Sequence, residues 1–318
     1  MACASAFSPW LWAAFVILVM FLLALDLGVI HRQPQAPKFR SSLGWSLLWF
    51  LFAMSMAAAL ALGRGAEEGL QFLAGYLVEY SLSLDNIFAM ALIFAWFRVP
   101  SALQHRVLFW GILGALLTRG VMIGAGAELL QKFHWILYVM GAFLFCTGLR
   151  WAFSRQAVVQ PERNLVVRLA RKLFPITRDF EGRNFFSRVE GRRALTPLAL
   201  ALLTIEATDL VFATDSIPAV FAVTQSAFIV FTSNLCAVLG LRSLYFLLAG
   251  ALRYFRHLKT GLSLVLVFIG AKMLLSRWRA IPNSITLAVV AGVIAVSIFM
   301  SRAGADAKEK APHPEPPE

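Results

Sequence analysis

Charged side chains are scarce in this sequence: 14% of its 318 residues are Asp, Glu, Lys or Arg, while 59% are apolar. Soluble domains average about 25% charged and 45–50% apolar, so a water-soluble globule is excluded. Sulfur and imidazole are scarcer still, with 3 Cys and 5 His. Cys3, Cys146 and Cys236 are too few and too scattered for a disulfide framework, and the last two lie inside apolar blocks as small packing residues. His31, His105, His134 and His257 fall at the ends of apolar blocks and His313 in the C-terminal tail, none at metal-ligand spacing from an acid. Zinc or copper sites built on imidazole or thiolate therefore have no support. The signatures HExxH and GxSxG are missing too, so neither an enzymatic activity nor a bound cofactor is expected. No basic n-region precedes the first apolar run, which reads as a retained span and not as a cleaved signal peptide.

What is present is a series of apolar blocks about twenty residues long, the length that carries a helix across a hydrocarbon core of roughly 30 Å. Nine spans are legible: 8–30, 42–62, 70–97, 107–127, 133–153, 195–223, 228–252, 260–276 and 281–300. The net charge of +12 then reflects topology, not nucleic-acid binding. With the N-terminus outside, the 29 Lys and Arg divide into 21 inside, 4 outside (Arg64, Lys132, Arg277, Arg279) and 4 within spans (Arg119, Arg150, Arg242, Lys272). The positive-inside rule thus predicts an N-out, C-in chain. Residues 1–302 form one transmembrane domain, and 303–318, rich in Pro, Glu and Lys, a disordered cytoplasmic tail. Segment 154–194 is the long connection, with ten basic and four acidic residues, expected as a solvated loop. Within it Leu165, Val166, Leu169 and Leu173 recur at helical spacing opposite Arg168, Arg171 and Lys172, the pattern of a short helix on an anionic leaflet.

Six acids lie at membrane depth, Asp26, Glu79, Asp85, Glu206, Asp209 and Asp215, against three deep bases, Arg119, Arg242 and Lys272; Arg150 can reach the inner interface. At about 2.5–3.5 kcal/mol each, such residues together represent a gross penalty on the order of 25 kcal/mol, so each needs a partner. Three ion pairs would leave three carboxylates that must take up protons, reach water or bind a cation. Structural salt bridges between helices are the plain alternative for any single acid. They account less well for six, because a buried ion pair is often no more stable than apolar packing.

The acids also repeat. Glu79-Tyr-Ser-Leu-Ser-Leu-Asp85-Asn86-Ile87 in the third span matches Asp209-Leu-Val-Phe-Ala-Thr-Asp215-Ser216-Ile217 in the sixth, Thr118-Arg119-Gly120 matches Leu241-Arg242-Ser243, and Gly141-Ala142 matches Gly270-Ala271-Lys272. The offsets of 130, 123 and 129 residues point to a duplicated three-helix unit, spans 3–5 and 6–8. Three is odd, so the second unit enters from the other side, the inverted repeat of many secondary transporters.

Positions seven apart share a helix face, so Glu79 lies with Asn86 and Asp209 with Ser216, while Asp85 and Asp215 project about 100° away. Pro218 lacks an N–H and should free the carbonyl of Thr214, unless it only kinks the helix. Two such segments facing each other offer carboxylate, amide, hydroxyl and carbonyl oxygens, a shell suited to hard divalent cations such as Mn²⁺, Ca²⁺ or Mg²⁺. In this reading Asp85 and Asp215 are central ligands, Glu79, Asn86, Glu206, Asp209 and Ser216 further ligands or proton carriers, and Arg119, Arg242 and Lys272 neutralise the empty site.

Three stretches resemble the TerC integral membrane protein family: Phe72-Leu-Ala-Gly75-Tyr-Leu-Val-Glu79 through Asp85-Asn86, Phe185-Phe186-Ser-Arg188 through Thr196-Pro197, and Glu206-Ala-Thr-Asp209 through Asp215-Ser216-Ile-Pro218. Leu239-Gly-Leu-Arg242-Ser243 and Gly270-Ala-Lys272-Met273 add to the likeness, which runs from about Asp26 to the ninth span. The resemblance implies a bacterial inner-membrane protein associated with tellurium resistance and, for Alx-like members, with manganese efflux. It places the family's acids on Glu79, Asp85, Glu206, Asp209 and Asp215. Two other readings stand beside a transporter: a membrane scaffold whose basic loop docks partners of a resistance complex, and an intramembrane aspartyl hydrolase.

Overall fold

The computed structural model describes residues 8–25, 39–133, 135–153, 165–177, 179–189, 192–248, 258–276, 278 and 281–309. Asp26 lies outside them. In chain order the described elements are α1 (Pro9–Leu25), α2 (Phe39–Arg64), α3 (Ala66–Trp96), α4 (Ser101–Lys132), α5 (Ile136–Phe153), α6 (Leu165–Leu173), the strands β1 (Phe186–Val189) and β2 (Arg192–Leu195), then α7 (Pro197–Phe221), α8 (Ala227–Leu248), α9 (Leu258–Leu275) and α10 (Asn283–Glu309). Helices α2, α3, α4, α5, α7 and α8 are long and apolar enough to cross a membrane, and α1, α9 and α10 hold the shorter apolar stretches Pro9–Ala24, Thr260–Leu275 and Asn283–Ser297. The chain is an all-α polytopic membrane protein. Its outer surface carries large apolar side chains such as Ile17, Leu62, Leu117, Val121 and Phe299, which lipid and not water must cover.

Local chemistry sets the helix boundaries. Gly65 alone separates α2 from α3, at φ 112°, a backbone conformation that a side chain would strain. Helix α3 ends in a Schellman turn: the Val99 N–H donates to the Phe94 carbonyl at 2.9 Å and the Arg98 N–H to that of Ala95 at 3.2 Å, with Arg98 at φ 53°. Thr196 caps α7 by accepting from the Ala199 N–H, and Pro197 fills the first helical position, where its missing N–H costs nothing.

Helix α8 is the most enclosed element, buried over nearly its whole length among α2, α3 and α4. Helix α3 runs beside it against α2, α7 and α10, and α4 lies on α7. On the other side α5 crosses α9 with backbones in contact. A Cβ on Gly141 would stand 3.3 Å from the Gly270 carbonyl oxygen, and one on Gly270 would stand 2.8 Å from that of Gly141. The contact is reciprocal between two residues matched by the sequence repeat, and only small residues permit it.

Two expectations change. Segment 154–194 contains, besides α6, an antiparallel hairpin pairing Phe186 with Leu195 and Val189 with Arg192. Helix α6 buries Val167, and packs Ala170 against Leu195, Ala199 and Leu200, leaving Val166, Leu169 and Leu173 exposed beside Arg168, Arg171 and Lys172. Helix α10 also continues through Glu309, past the expected start of the disordered tail at 303, because Ala303, Ala305, Ala307 and Lys308 are strong helix formers.

Candidate functional site

Polar faces of four helices meet at Arg119. Its guanidinium, 2% exposed in the middle of α4, is shared among α3, α7 and α8. Nη1 donates to Glu79 Oε1 on α3 and to Asn234 Oδ1 on α8 at 3.2 Å. Nε and Nη2 hold Asp209 on α7 through both carboxylate oxygens, at 3.1 and 2.7 Å. Asn86, on the same face of α3 as Glu79, donates from Nδ2 to Asp209 Oδ1 at 3.2 Å. Glu79, Asn86, Asp209 and Asn234 are all buried, so the bonds form away from water and the planar, five-donor guanidinium suits them better than an ammonium.

The charge in this hub does not balance. Two carboxylates face one guanidinium, leaving one negative charge over if both are ionised. Hydrogen bonding is incomplete as well: the acceptors Glu79 Oε2, Asn86 Oδ1 and Asp215 Oδ1, and the donors Asn234 Nδ2 and Ser216 Oγ, are buried without a hydrogen-bond partner among the described residues. Ser216 stands beside Glu79. Oxygen atoms in a dry interior with no donor have lost their hydration without replacement.

The other anticipated residues are distributed around the hub. Asp215, buried on α7, has Thr147 of α5 within hydrogen-bonding reach. Glu206, half-buried one turn before Asp209, lays its carboxylate on Gly114 of α4, where any Cβ would overlap it. Asp85 is half-buried on α3, and Arg242 is buried on α8. Lys272 is bound elsewhere: Nζ donates to Asn283 Oδ1 at 3.0 Å and Thr286 Oγ1 at 2.8 Å, both on α10. Thr214 is exposed and donates its hydroxyl to the Val211 carbonyl, while α7 passes through Pro218 and continues to Phe221. Among the described residues no three His, Cys, Asp or Glu side chains come close enough to hold a metal ion. Of the acids of α3 and α7, Glu79 and Asp209 converge on Arg119. Sequence reasoning overlooked Asn234, although Thr232-Ser233-Asn234 is a polar run inside an apolar span.

The description of the integral membrane protein TerC family matches residues 64–309, which include the whole hub. The chain belongs to the TerC family. Among its relatives, an uncharacterized membrane protein, STKORF319, of Myxococcus xanthus is 51% identical over 294 residues, covering 92% of each chain. The putative membrane-bound redox modulator Alx of Salmonella typhi is 43% identical, over 92% of this chain and 94% of its own, and that of Escherichia coli is 41% identical over the same shares. No solved structure matches this TerC-family chain.

Proposed function

We propose that this protein exports a hard divalent cation, manganese first, across a bacterial inner membrane, in exchange for protons. The supporting observation is the surplus carboxylate at the hub: with Arg119 as counterion, Glu79 and Asp209 still carry one charge that a cation or a proton can match. In this reading Arg119 holds the place of the ion, and a divalent cation drawing on Glu79, Asp85, Asn86, Glu206, Asp209, Asp215 and Ser216 displaces it. Two protons and one divalent ion carry equal charge, which makes exchange electrically neutral. Oxygen ligands favour Mn²⁺ or Ca²⁺ over ions that prefer nitrogen and sulfur. The duplicated units would enter the membrane from opposite sides, with Gly141 and Gly270 meeting between them. The cation is the cargo, no cofactor takes part, and the protein is not an enzyme.

Flux into proteoliposomes, across a panel of metals and with an imposed pH gradient, tests the reading. Wild-type protein should move Mn²⁺ against the proton gradient, and Glu79→Gln, Asp85→Asn and Asp215→Asn should each abolish flux while inserting normally. Wild-type rates in all three variants, or movement of Zn²⁺ alone, would refute it. The name of the Alx relatives, putative membrane-bound redox modulators, favours a second reading, redox modulation. Here Cys146 lies exposed on α5 and Cys236 buried on α8, neither in a disulfide. A variant with all three cysteines replaced should retain full protection of cells against excess Mn²⁺; loss of protection would favour the redox reading.

A further inference from the structure

At the end of α7 opposite the β hairpin, a cavity of about 260 Å³ opens between α3, α5, α7, α9 and α10. Among the described residues its lining carries one charged side chain, Lys272, and no carboxylate; the charge of Glu67 acts on Lys272 from outside the lining. Lys272 is 8% exposed, and a polar chain holds it in place. Its ammonium donates to Asn283 and Thr286; Asn283 donates to Glu67 Oε1 at 2.8 Å, Gln71 donates to the same oxygen at 3.4 Å, and Thr224 donates to Gln71 Oε1 at 2.6 Å. Glu67 is thereby turned to the amides of Asn283 and Gln71 and does not line the cavity. An ammonium has three donors, and two are used on α10. The third, with the amide of the exposed Gln225, is left for an occupant.

From this geometry we infer that the cavity is a binding site for a small oxyanion, a carboxylate or a phosphate, held by Lys272 with Gln225 at the rim. A cation would meet an ammonium with no acid in the wall. A neutral apolar molecule would leave the third donor of Lys272 unmatched in a half-enclosed space. Carboxylates and phosphates match it with a charge-assisted bond, strengthened where the walls are low in dielectric. Asn283 is also the first residue of α10, so the positive end of that helix dipole lies at the same wall.

The test is thermal unfolding of the full-length protein in detergent, at fixed ionic strength, with chloride replaced by acetate, citrate or inorganic phosphate. At least one oxyanion should raise the apparent Tm by about 2–4 °C in a saturable way. Lys272→Gln should lose that shift. Should Lys272→Gln fail to fold, Ser276→Phe keeps the lysine and its partners but fills the exposed rim of the cavity, and it too should lose the shift. Absence of any oxyanion effect on wild type, a non-saturating effect, or an unchanged shift in Ser276→Phe would overturn the assignment. Cation flux is not the readout, so this result and the transport result fail separately.

Discussion

Arg119 is the residue whose loss should cost the most. Leucine in its place would leave Glu79 and Asp209 facing each other in a dry interior, a defect of about 3–5 kcal/mol. Adding Glu79→Gln and Asp209→Asn should recover most of that cost, because the stranded charges go with their partner; unfolding in mixed micelles measures both steps, and additive losses would show that the groups act independently. Arg119→Lys should resemble Arg119→Leu more than wild type, since an ammonium cannot span Asp209 through two parallel bonds and still reach Glu79 and Asn234. Part of this site was readable in advance. A seven-residue spacing puts Glu79 and Asn86 on one face, and a deep arginine requires an acid. Asn234 could not be found from the repeat, because the offset of 123 aligns it with Gly111, which has no side chain to compare. Nor could spacing rank Asp209 above Asp215 as the arginine's partner, since that depends on how far α4 stands from each turn of α7.

Among the elements, the crossing of α5 and α9 is set by glycine. A Cβ on Gly270 would press on the Phe145 backbone N at 2.5 Å, so Gly270→Ala should destabilise the protein by about 1–3 kcal/mol through forced separation of the helices. Gly292 in α10 has nothing within 4 Å of the same position, and there alanine should stabilise by about 0.5–1 kcal/mol by removing backbone entropy from the unfolded chain. Chemical denaturation of both variants checks the contrast; equal effects would mean that helix propensity and not contact controls the α5–α9 pair. Gly141 and Gly270 stood out in the sequence as matched residues, yet their reciprocal contact is a tertiary fact. The β hairpin was hidden because Arg188, Arg192 and Arg193 make its segment look like one more basic loop, while only Val189, Ala194 and Leu195 hint at alternation. Apolar blocks, by contrast, reveal transmembrane helices directly, since lipid admits no other open backbone conformation.

For the whole molecule, the positive-inside rule predicts α6 on the cytoplasmic side and the Gln225 turn on the outside. In a cysteine-free background, Lys172→Cys should react with a membrane-impermeant thiol reagent only in inverted vesicles, and Gln225→Cys only in intact cells. The opposite pattern would reverse the topology and, with it, the direction assigned to transport. The single-glycine link between α2 and α3 bears on how the chain enters the bilayer at all. Helix α3 carries Glu67, Glu68, Glu79 and Asp85 and is poorly suited to leave the translocon alone, whereas α2 contains no acid. With no loop at Gly65 for α2 to depart ahead of its neighbour, the expected outcome is that the two partition into lipid as one hairpin, the apolar helix carrying the acidic one during synthesis. A flexible linker inserted at Gly65 would uncouple that passage, and its defect would be seen in biogenesis before any in activity.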